Sequence, residues 1–356
     1  MAAGTGGHVF PALSIARSLM RRSVRVEWLG TPHGMENEIL ADTGITLNRV
    51  TVKGLRGTGL LRKLSAPFML ATALMQSLRV IKRVQPDCVL GMGGFVCGPA
   101  GVACKLLGKP LVIHEQNAVA GLTNRLLARV ADRVLEAFPD TFKQGNNVFY
   151  TGNPLRDEII ALHQQDRIQR NSREPLRILV LGGSQGATAI NQLIPAVLAA
   201  WGEEQQPEVY HQAGANNLEQ TRLYYKQHDV KLNDHCRVVA FIDDMAAAYQ
   251  WADLVLCRSG ASTVSEIAAA GVPAILVPYP YHKDQQQLLN ARWLAKGEAA
   301  IIIEQQRLDQ QQLLIRLQQL NSDRYQLDVM SQNAKALAIC DAAETISGQC
   351  LEVIHA

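Results

Sequence analysis

"LRILVLGGSQGATAINQLIP" (176–195) carries three signals in a row. Its apolar start has the composition of a strand buried on both faces of a sheet. Gly182-Gly183-Ser184-Gln185-Gly186 then makes a tight turn, and the residues after it read as a helix. Strand, glycine turn and helix in that order open a parallel α/β unit. The turn leaves backbone N–H groups at a helix N-terminus, where an anion is favoured.

The same device stands at the front of the chain. "MAAGTGGHVFPAL" (1–13) has the turn, Gly4-Thr5-Gly6-Gly7-His8, and the helix, but only Met1, Ala2 and Ala3 where the strand belongs. The first β-strand therefore reads as missing at the N-terminus, and an authentic chain is expected to carry about ten more apolar-rich residues upstream.

Outward from these two loops the chain alternates strands and helices. Residues 24–30, 86–94, 109–117, 131–138 and 147–154 read as short buried strands, with helices over 10–22, 67–83, 98–107 and 120–130. After Pro154 a polar stretch, 164–175, intervenes, and the pattern restarts at 176 and continues through 208–214, 236–243, 252–260, 272–280 and 299–304. A chain of 356 residues exceeds one compact core. The expectation is two α/β domains, 1–153 and 154–340. The last helical stretch, about 324–356, is expected to cross back so that about 341–356 packs on the first domain.

Charge is unevenly shared. Residues 1–153 hold 18 Lys and Arg against 9 Asp and Glu, a net +9, and the remainder is −6. A basic first half suits an anionic partner. Nothing in the pattern points to nucleic acid. Seven cysteines (88, 97, 104, 236, 257, 340, 350) without a C-x-x-C pair argue against disulfides and a structural zinc, and the N-terminus lacks the charged-then-apolar order of a signal peptide. No D-x-D pair and no metal-ligand spacing occurs, so no metal is expected.

"LLRKLSAPFMLATALMQSLRVIKR" (60–83) is an apolar stretch between Arg62/Lys63 and Arg79/Lys82/Arg83. It is too short to span a bilayer, which takes roughly 20 apolar residues. An amphipathic membrane surface, with Phe68 and Leu74 towards the lipid, and an ordinary core-facing helix both fit. The positive charge of this half favours the membrane.

Polar groups gather where strands end, the place at which α/β sheets bind ligands. In "HEQNAVAGLTN" (114–124) these are His114, Glu115 and Asn117. In "CRSGASTVSEIAAAG" (257–271) the amides of Ala261, Ser262 and Thr263 open a helix, and Glu266 suits the two hydroxyls of a ribose. "HKDQQQLLN" (282–290) offers glutamines to sugar hydroxyls. A capping serine and a dipole-favouring glutamate explain part of this equally well.

Taken in order, "GTGGHVFPAL", "KGLRGTGL", "PDCVLGMGGFVCGP", "VIHEQNAVAGLTNR", "GNPLR", "GGSQGA", "FIDDMAAAYQWADLVLCRSGASTVSE" and "HKDQQQLLNA" resemble the MurG family, the membrane-associated N-acetylglucosaminyltransferases of peptidoglycan and cell-wall synthesis. The resemblance covers nearly the whole chain. It implies a GT-B fold, two Rossmann-like domains facing across a cleft. It implies transfer of N-acetylglucosamine from UDP-N-acetylglucosamine (UDP-GlcNAc) to the C4 hydroxyl of the muramyl sugar of lipid I, an undecaprenyl diphosphate, giving lipid II, with inversion and without a cofactor. Matching positions imply contacts to UDP-GlcNAc from Thr5, Gly6, Gly7, Asn117, Arg156, Ser184, Ile242, Ala261, Ser262, Thr263, Val264, Ser265, Glu266, Gln286 and Gln287. The expected general base is His8, with Glu115 as runner-up. The implied location is peripheral, on the cytoplasmic face of the bacterial inner membrane, and the resemblance leaves room for cell-wall synthesis proteins as partners. Phe95 and Cys97 stand where the family usually has tyrosine and serine, which removes a hydroxyl contact at Phe95. The alternatives are a glycolipid synthase or UDP-sugar epimerase of the same fold and a non-catalytic nucleotide-sugar sensor. A dinucleotide oxidoreductase fits less well, since Glu27, the nearest acidic residue after the first loop, lies inside a strand.

Overall fold

The computed structural model describes residues 1–4, 6–52, 60–167, 170, 173–182, 187–202, 206–282 and 284–354, with residues 60–65 described by backbone alone. Thr5 and Ser184 lie outside the described residues, as do the side chains of Arg62 and Lys63. The chain forms two compact units, Met1–Arg156 with Ile339–Ala356, and Asp157–Ala338.

In the first unit the strands are β1 (Glu27–Gly30), β2 (Thr46–Arg49), β3 (Val89–Gly91), β4 (Leu111–Glu115), β5 (Arg133–Glu136) and β6 (Val148–Tyr150). The helices are α1 (Gly6–Arg21), α2 (Glu36–Ile39), α3 (Leu60–Val84), α4 (Cys97–Leu106), α5 (Leu122–Leu127) and the last of the chain, α14 (Ala342–Glu352). β1 pairs with β2, and β3, β4, β5 and β6 pair in that order, all parallel. Met1–Ala3 lie between the two groups. The Ala2 N–H donates to Leu29 C=O (3.2 Å), the Met1 ammonium donates to Leu90 C=O (2.7 Å), and Met92 N–H donates to Met1 C=O (3.0 Å). These three residues thus sit where the sequence places a first strand. Beside them, between β1 and β3, is a cavity of about 280 Å³ lined by Ile15, Trp28, Leu90 and Ile354 among others.

Strand side chains alternate between the two faces. Leu29, Val89, Leu111, Ile113 and Val134 meet α3, α4 and α5 on one side. Trp28, Met92, Val112 and Leu135 meet Val9 and Leu13 of α1 and Ile346 and Cys350 of α14 on the other. Helix α14 is further tied by Arg21–Glu344 (2.9 Å) and Arg133–Glu352 (2.8 Å).

The second unit comprises α6 (Asp157–His163), β7 (Arg177–Leu181), α7 (Thr188–Trp201), β8 (Glu208–Gln212), α8 (Leu218–Gln227), β9 (Cys236–Val239), α9 (Met245–Trp251) and β10 (Leu254–Cys257). It continues with α10 (Ala261–Ala270), β11 (Ala274–Leu276), α11 (Gln286–Lys296), β12 (Ala300–Ile302), α12 (Gln310–Ser322) and α13 (Arg324–Leu337). Its six parallel strands run in the order β12-β11-β10-β7-β8-β9. That is the doubly wound order, which reverses between its first strand, β7, and its fourth, β10. The stretch 324–356, read as one helix, is two. Helix α13 stays in the second unit against α10, and α14 belongs to the first.

Candidate active site

A doubly wound sheet offers its ligand site where the strand order reverses, outside the carboxyl ends of the strands. In the first unit that place lies between Met1–Ala3 and β3. The turn around Gly4 and the turn Gly91–Gly94 flank it. Gly4, Gly93 and Gly94 have φ of +102°, +87° and +76°, a region open to glycine at little cost. The Gly4 N–H donates to Glu36 Oε2 (3.2 Å), and Glu36 Oε1 accepts from the N–H and the hydroxyl of Thr31 (2.7 and 2.8 Å). Glu36 is fully buried. A Cβ at Gly34 would stand 2.1 Å from its Oε2, so glycine there makes room for the carboxylate.

His8, on the first turns of α1, lies over the second glycine turn. A Cβ at Gly93 would sit 3.5 Å from His8 Cε1, and one at Gly94 3.8 Å from Cδ2. His8 Nδ1 is 2.7 Å from Gln116 Oε1. Gln116 Nε2 is 2.9 Å from His114 Nδ1, and His114 Nε2 is 3.0 Å from Gly152 C=O. Burial pulls the His114 imidazole down to about 4, so it is neutral near pH 7. Gly6 is half-buried and Gly7 exposed at the helix start.

Glu115 ends β4 and is buried. Its Oε1 accepts from the N–H and side-chain amide of Asn117 (3.1 and 3.2 Å), and Oε2 accepts from Gly121 N–H and Asn124 Nδ2 (both 3.0 Å). The carboxylate thus holds the loop 116–124 in shape, with both oxygens engaged. Asn117 is half-buried in that loop, next to Glu115.

In the second unit the reversal places Gly182, after β7, beside Arg258, after β10, because Leu181 pairs with Cys257. Helix α10 begins here. Gly260 is extended and caps it, and Val264 N–H donates to Gly260 C=O (3.0 Å). The N–H groups of Ala261, Ser262 and Thr263 precede the first intrahelical bond, and the side chains of Ser262 and Thr263 are half-buried. Val264 is buried in the core, and Ser265, also buried, donates its hydroxyl to Ala261 C=O (3.0 Å). Their side chains pack and brace the helix; they are not turned out beside Ser262 and Thr263. Glu266 is half-buried and accepts from the Tyr249 hydroxyl at Oε2 (3.1 Å). Gln287 anchors the neighbouring loop, its Oε1 accepting from Tyr279 N–H (2.9 Å) and its C=O from the Ser259 hydroxyl (2.7 Å). Gln286 stands at the start of α11, Ile242 is buried after β9, and Arg156 is half-buried as the last residue of the first unit before α6.

The stretch 60–83 is helical in the structure. Phe68, Leu70 and Met75 are exposed on it, and Arg79, Lys82 and Arg83 are exposed at its end, with Arg83 donating to Asn48 Oδ1. Leu74 corrects its expected place: it is half-buried and packs inward on the core. Helix α3 packs on α4, and α4 on α5. Val102 and Leu106 of α4 and Leu122 and Leu126 of α5 are exposed as well. The apolar surface therefore extends over three helices. Among the described residues no helix is long and apolar enough to cross a membrane.

Residues 1–136 match the glycosyltransferase family 28 N-terminal domain, and residues 177–346 match the glycosyltransferase family 28 C-terminal domain. The chain belongs to glycosyltransferase family 28. Its GT-B architecture of two Rossmann-like units is that of the family. A relative from Azotobacter vinelandii is 51% identical over 99% of this chain and 97% of its own length. It is named UDP-N-acetylglucosamine–N-acetylmuramyl-(pentapeptide) pyrophosphoryl-undecaprenol N-acetylglucosamine transferase, as is one from Ectopseudomonas mendocina at 48% identity, covering 100% of this chain and 98% of its own. The crystal structure of Acinetobacter baumannii MurG superposes with a TM-score of 0.82 at 40% identity, covering 99% of this chain and 98% of that one. The UDP-GlcNAc 2-epimerase of Neisseria meningitidis shares the fold at 13% identity (TM-score 0.71, covering 98% of both chains).

Within the family 28 chain, residues that carry no motif of their own also shape the candidate site. Glu36 holds the first glycine turn, Gln116 holds His8, and Tyr249 holds Glu266. The signal that points to Gln116 is its i+2 spacing from His114, which continues the alternation of β4.

Proposed function

We propose that this chain transfers N-acetylglucosamine from UDP-GlcNAc to the C4 hydroxyl of the muramyl sugar of lipid I, giving lipid II and UDP. The observation that carries this is the 51% identity, over 99% of the chain, to a transferase of that name. The geometry supports it with the N-terminal amides of α10, which stand at the point of strand reversal in the second unit.

The second unit holds the donor. The N-terminal amides of α10 at Ala261, Ser262 and Thr263 face the diphosphate, where the helix dipole favours negative charge. Glu266, held by Tyr249, accepts from the ribose hydroxyls. Gln286 and Gln287 read the sugar, the backbone at Ile242 meets the base, and Arg156 and Ser184 complete the set. The first unit takes the acceptor. The Gly4–His8 turn at the start of α1 receives its diphosphate.

The reaction is one inverting displacement. The acceptor C4 oxygen attacks the anomeric carbon, and its proton passes to His8 Nε2. The bond from the anomeric carbon to UDP breaks, and its electron pair goes to the β-phosphate oxygen. Backbone amides stabilise that charge without a metal or other cofactor. His8 is preferred over Glu115 because both oxygens of Glu115 already accept N–H groups of its own loop.

The exposed apolar residues of α3, α4 and α5, with Arg79 and Lys82 at their edge, meet the anionic leaflet that carries the lipid substrate. On this reading the chain works peripherally, at the cytoplasmic face of the bacterial inner membrane. An assay with radiolabelled UDP-GlcNAc and a lipid I analogue tests the reading. Label in the lipid product supports it, and label released as free sugar or left in nucleotide form contradicts it.

A further inference from the structure

We propose that Gln116 is a positioning residue for the transfer, fixing the proton of His8 on Nδ1 so that the Nε2 lone pair is the one presented to the acceptor hydroxyl. This rests on the reading of His8 as the base.

The assignment follows from two anchors outside the Gln116–His8 pair. Gly152 C=O has only lone pairs, so His114 Nε2, 3.0 Å away, must carry a proton and donate to it. A neutral imidazole bears one N–H, which leaves His114 Nδ1 as an acceptor. Gln116 must therefore turn its NH₂ end towards that nitrogen (2.9 Å). The second anchor agrees, since Gln116 Nε2 also donates to the C=O of His114 (3.1 Å). A reversed amide would set its oxygen against that carbonyl and against a His114 nitrogen with no proton to give. The amide orientation is thus fixed, and Oε1 faces His8 Nδ1 at 2.7 Å as an acceptor. His8 has to donate there.

The relay has one polarity: His8 Nδ1–H to Gln116, Gln116 N–H to His114, His114 Nε2–H to Gly152. It keeps that polarity when His8 takes a second proton on Nε2, so the relay needs no rearrangement during the reaction. Gln116 is itself held, since Asn153 Nδ2 donates to its C=O (3.0 Å). The nearby carboxylates are committed elsewhere, Glu115 to its loop and Glu36 to Gly4 and Thr31. Gln116 therefore does for His8 what a buried carboxylate does in a serine-protease triad, setting the tautomer through a neutral partner. A neutral partner holds the base without raising its proton affinity as a carboxylate would.

Two variants test this in the full chain. Gln116→Met keeps the length and removes both the acceptor and the donor. Its kcat, read on folded protein, is expected to fall at least about tenfold, with the KM for UDP-GlcNAc near wild type and a melting temperature lowered because buried His114 Nδ1 loses its donor. Added to His8→Ala, Gln116→Met is expected to cost nothing further. Gln116→Glu keeps an acceptor for His8 Nδ1–H and adds charge, and its second oxygen replaces the donor to His114 Nδ1 and C=O, so it too is expected to melt below wild type. It is expected to retain more activity than Gln116→Met and to move the acid limb of the kcat/KM profile to higher pH. Wild-type kcat in Gln116→Met overturns the proposal, and so does an equal loss in the wild-type and His8→Ala backgrounds. A fully active His8→Ala overturns the base assignment itself, a result distinct from either of these.

Discussion

Glu36 binds the first glycine turn from a separate helix: its Oε2 takes the N–H of Gly4 at 3.2 Å while its Oε1 takes the N–H and hydroxyl of Thr31. The carboxylate is fully buried and acts only as an acceptor. Glu36→Gln puts an NH₂ group against one of these donors. Leaving one such buried group unsatisfied costs about 1–3 kcal/mol. Urea unfolding is expected to show a loss of that size, and kcat to fall with UDP affinity unchanged. Wild-type stability and rate in Glu36→Gln would remove the carboxylate from this role.

His8→Ala is expected to lower turnover by about 10²–10⁴. The donor is assigned to the other unit, so UDP affinity, read by calorimetry, stays near wild type. Loss of UDP binding with kcat retained would make His8 a binding residue.

Tyr249 and Glu266 form a pair whose effects should rank. Glu266→Ala removes the carboxylate assigned to the ribose and is expected to weaken UDP binding by about 1.5–3 kcal/mol, the worth of a hydrogen bond to a charged group. Tyr249→Phe deletes only the hydroxyl that orients it and is expected to cost about 1 kcal/mol or less. Equal losses in the two variants, measured by competition with labelled UDP, would contradict the ranking.

The exposed apolar surface predicts a membrane phenotype separable from chemistry. Leu106→Asp with Leu126→Asp is expected to cut binding to anionic vesicles at least about tenfold, since each substitution removes apolar burial of roughly 1.5–3 kcal/mol. Turnover on a short-chain, water-soluble acceptor should be unaffected. Unchanged vesicle sedimentation would place the lipid contact elsewhere.

Acid sensitivity follows from two buried histidines. Burial lowers His114 to about 4 and His211 to about 3 from the usual 6.5. The unfolded chain takes up these protons near pH 6.5, and the folded chain only near 4 and 3. Stability is therefore full above pH 6.5 and falls as pH drops towards 4, by about 1.4 kcal/mol per pH unit for each histidine. Urea midpoints between pH 7.5 and 4.5 report it, and a flat profile would contradict it.

The sequence displayed what depends on short-range chemistry. The buried strands of both sheets read as apolar runs, and the glycine turns announced both points of reversal. Strand β2, with Asn48 and Arg49 in its four residues, carried too little apolar signal to be noticed. Glu36 was invisible as a partner of Gly4 because the contact closes over 32 residues. Leu74 was misplaced because an apolar helix does not declare which side meets the core. For the same reason the exposed faces of α4 and α5 went unread, since "CGPAGVACKL" is apolar nearly all round.

The most direct measurement is lipid-linked product formed from labelled UDP-GlcNAc and a lipid I analogue in excess EDTA, with the anomeric configuration read by proton NMR. The account predicts undiminished transfer and a β-linked N-acetylglucosamine, inverted from the α-linked donor. Transfer abolished by EDTA, an α-linked product, or UDP release without lipid-linked sugar would contradict it.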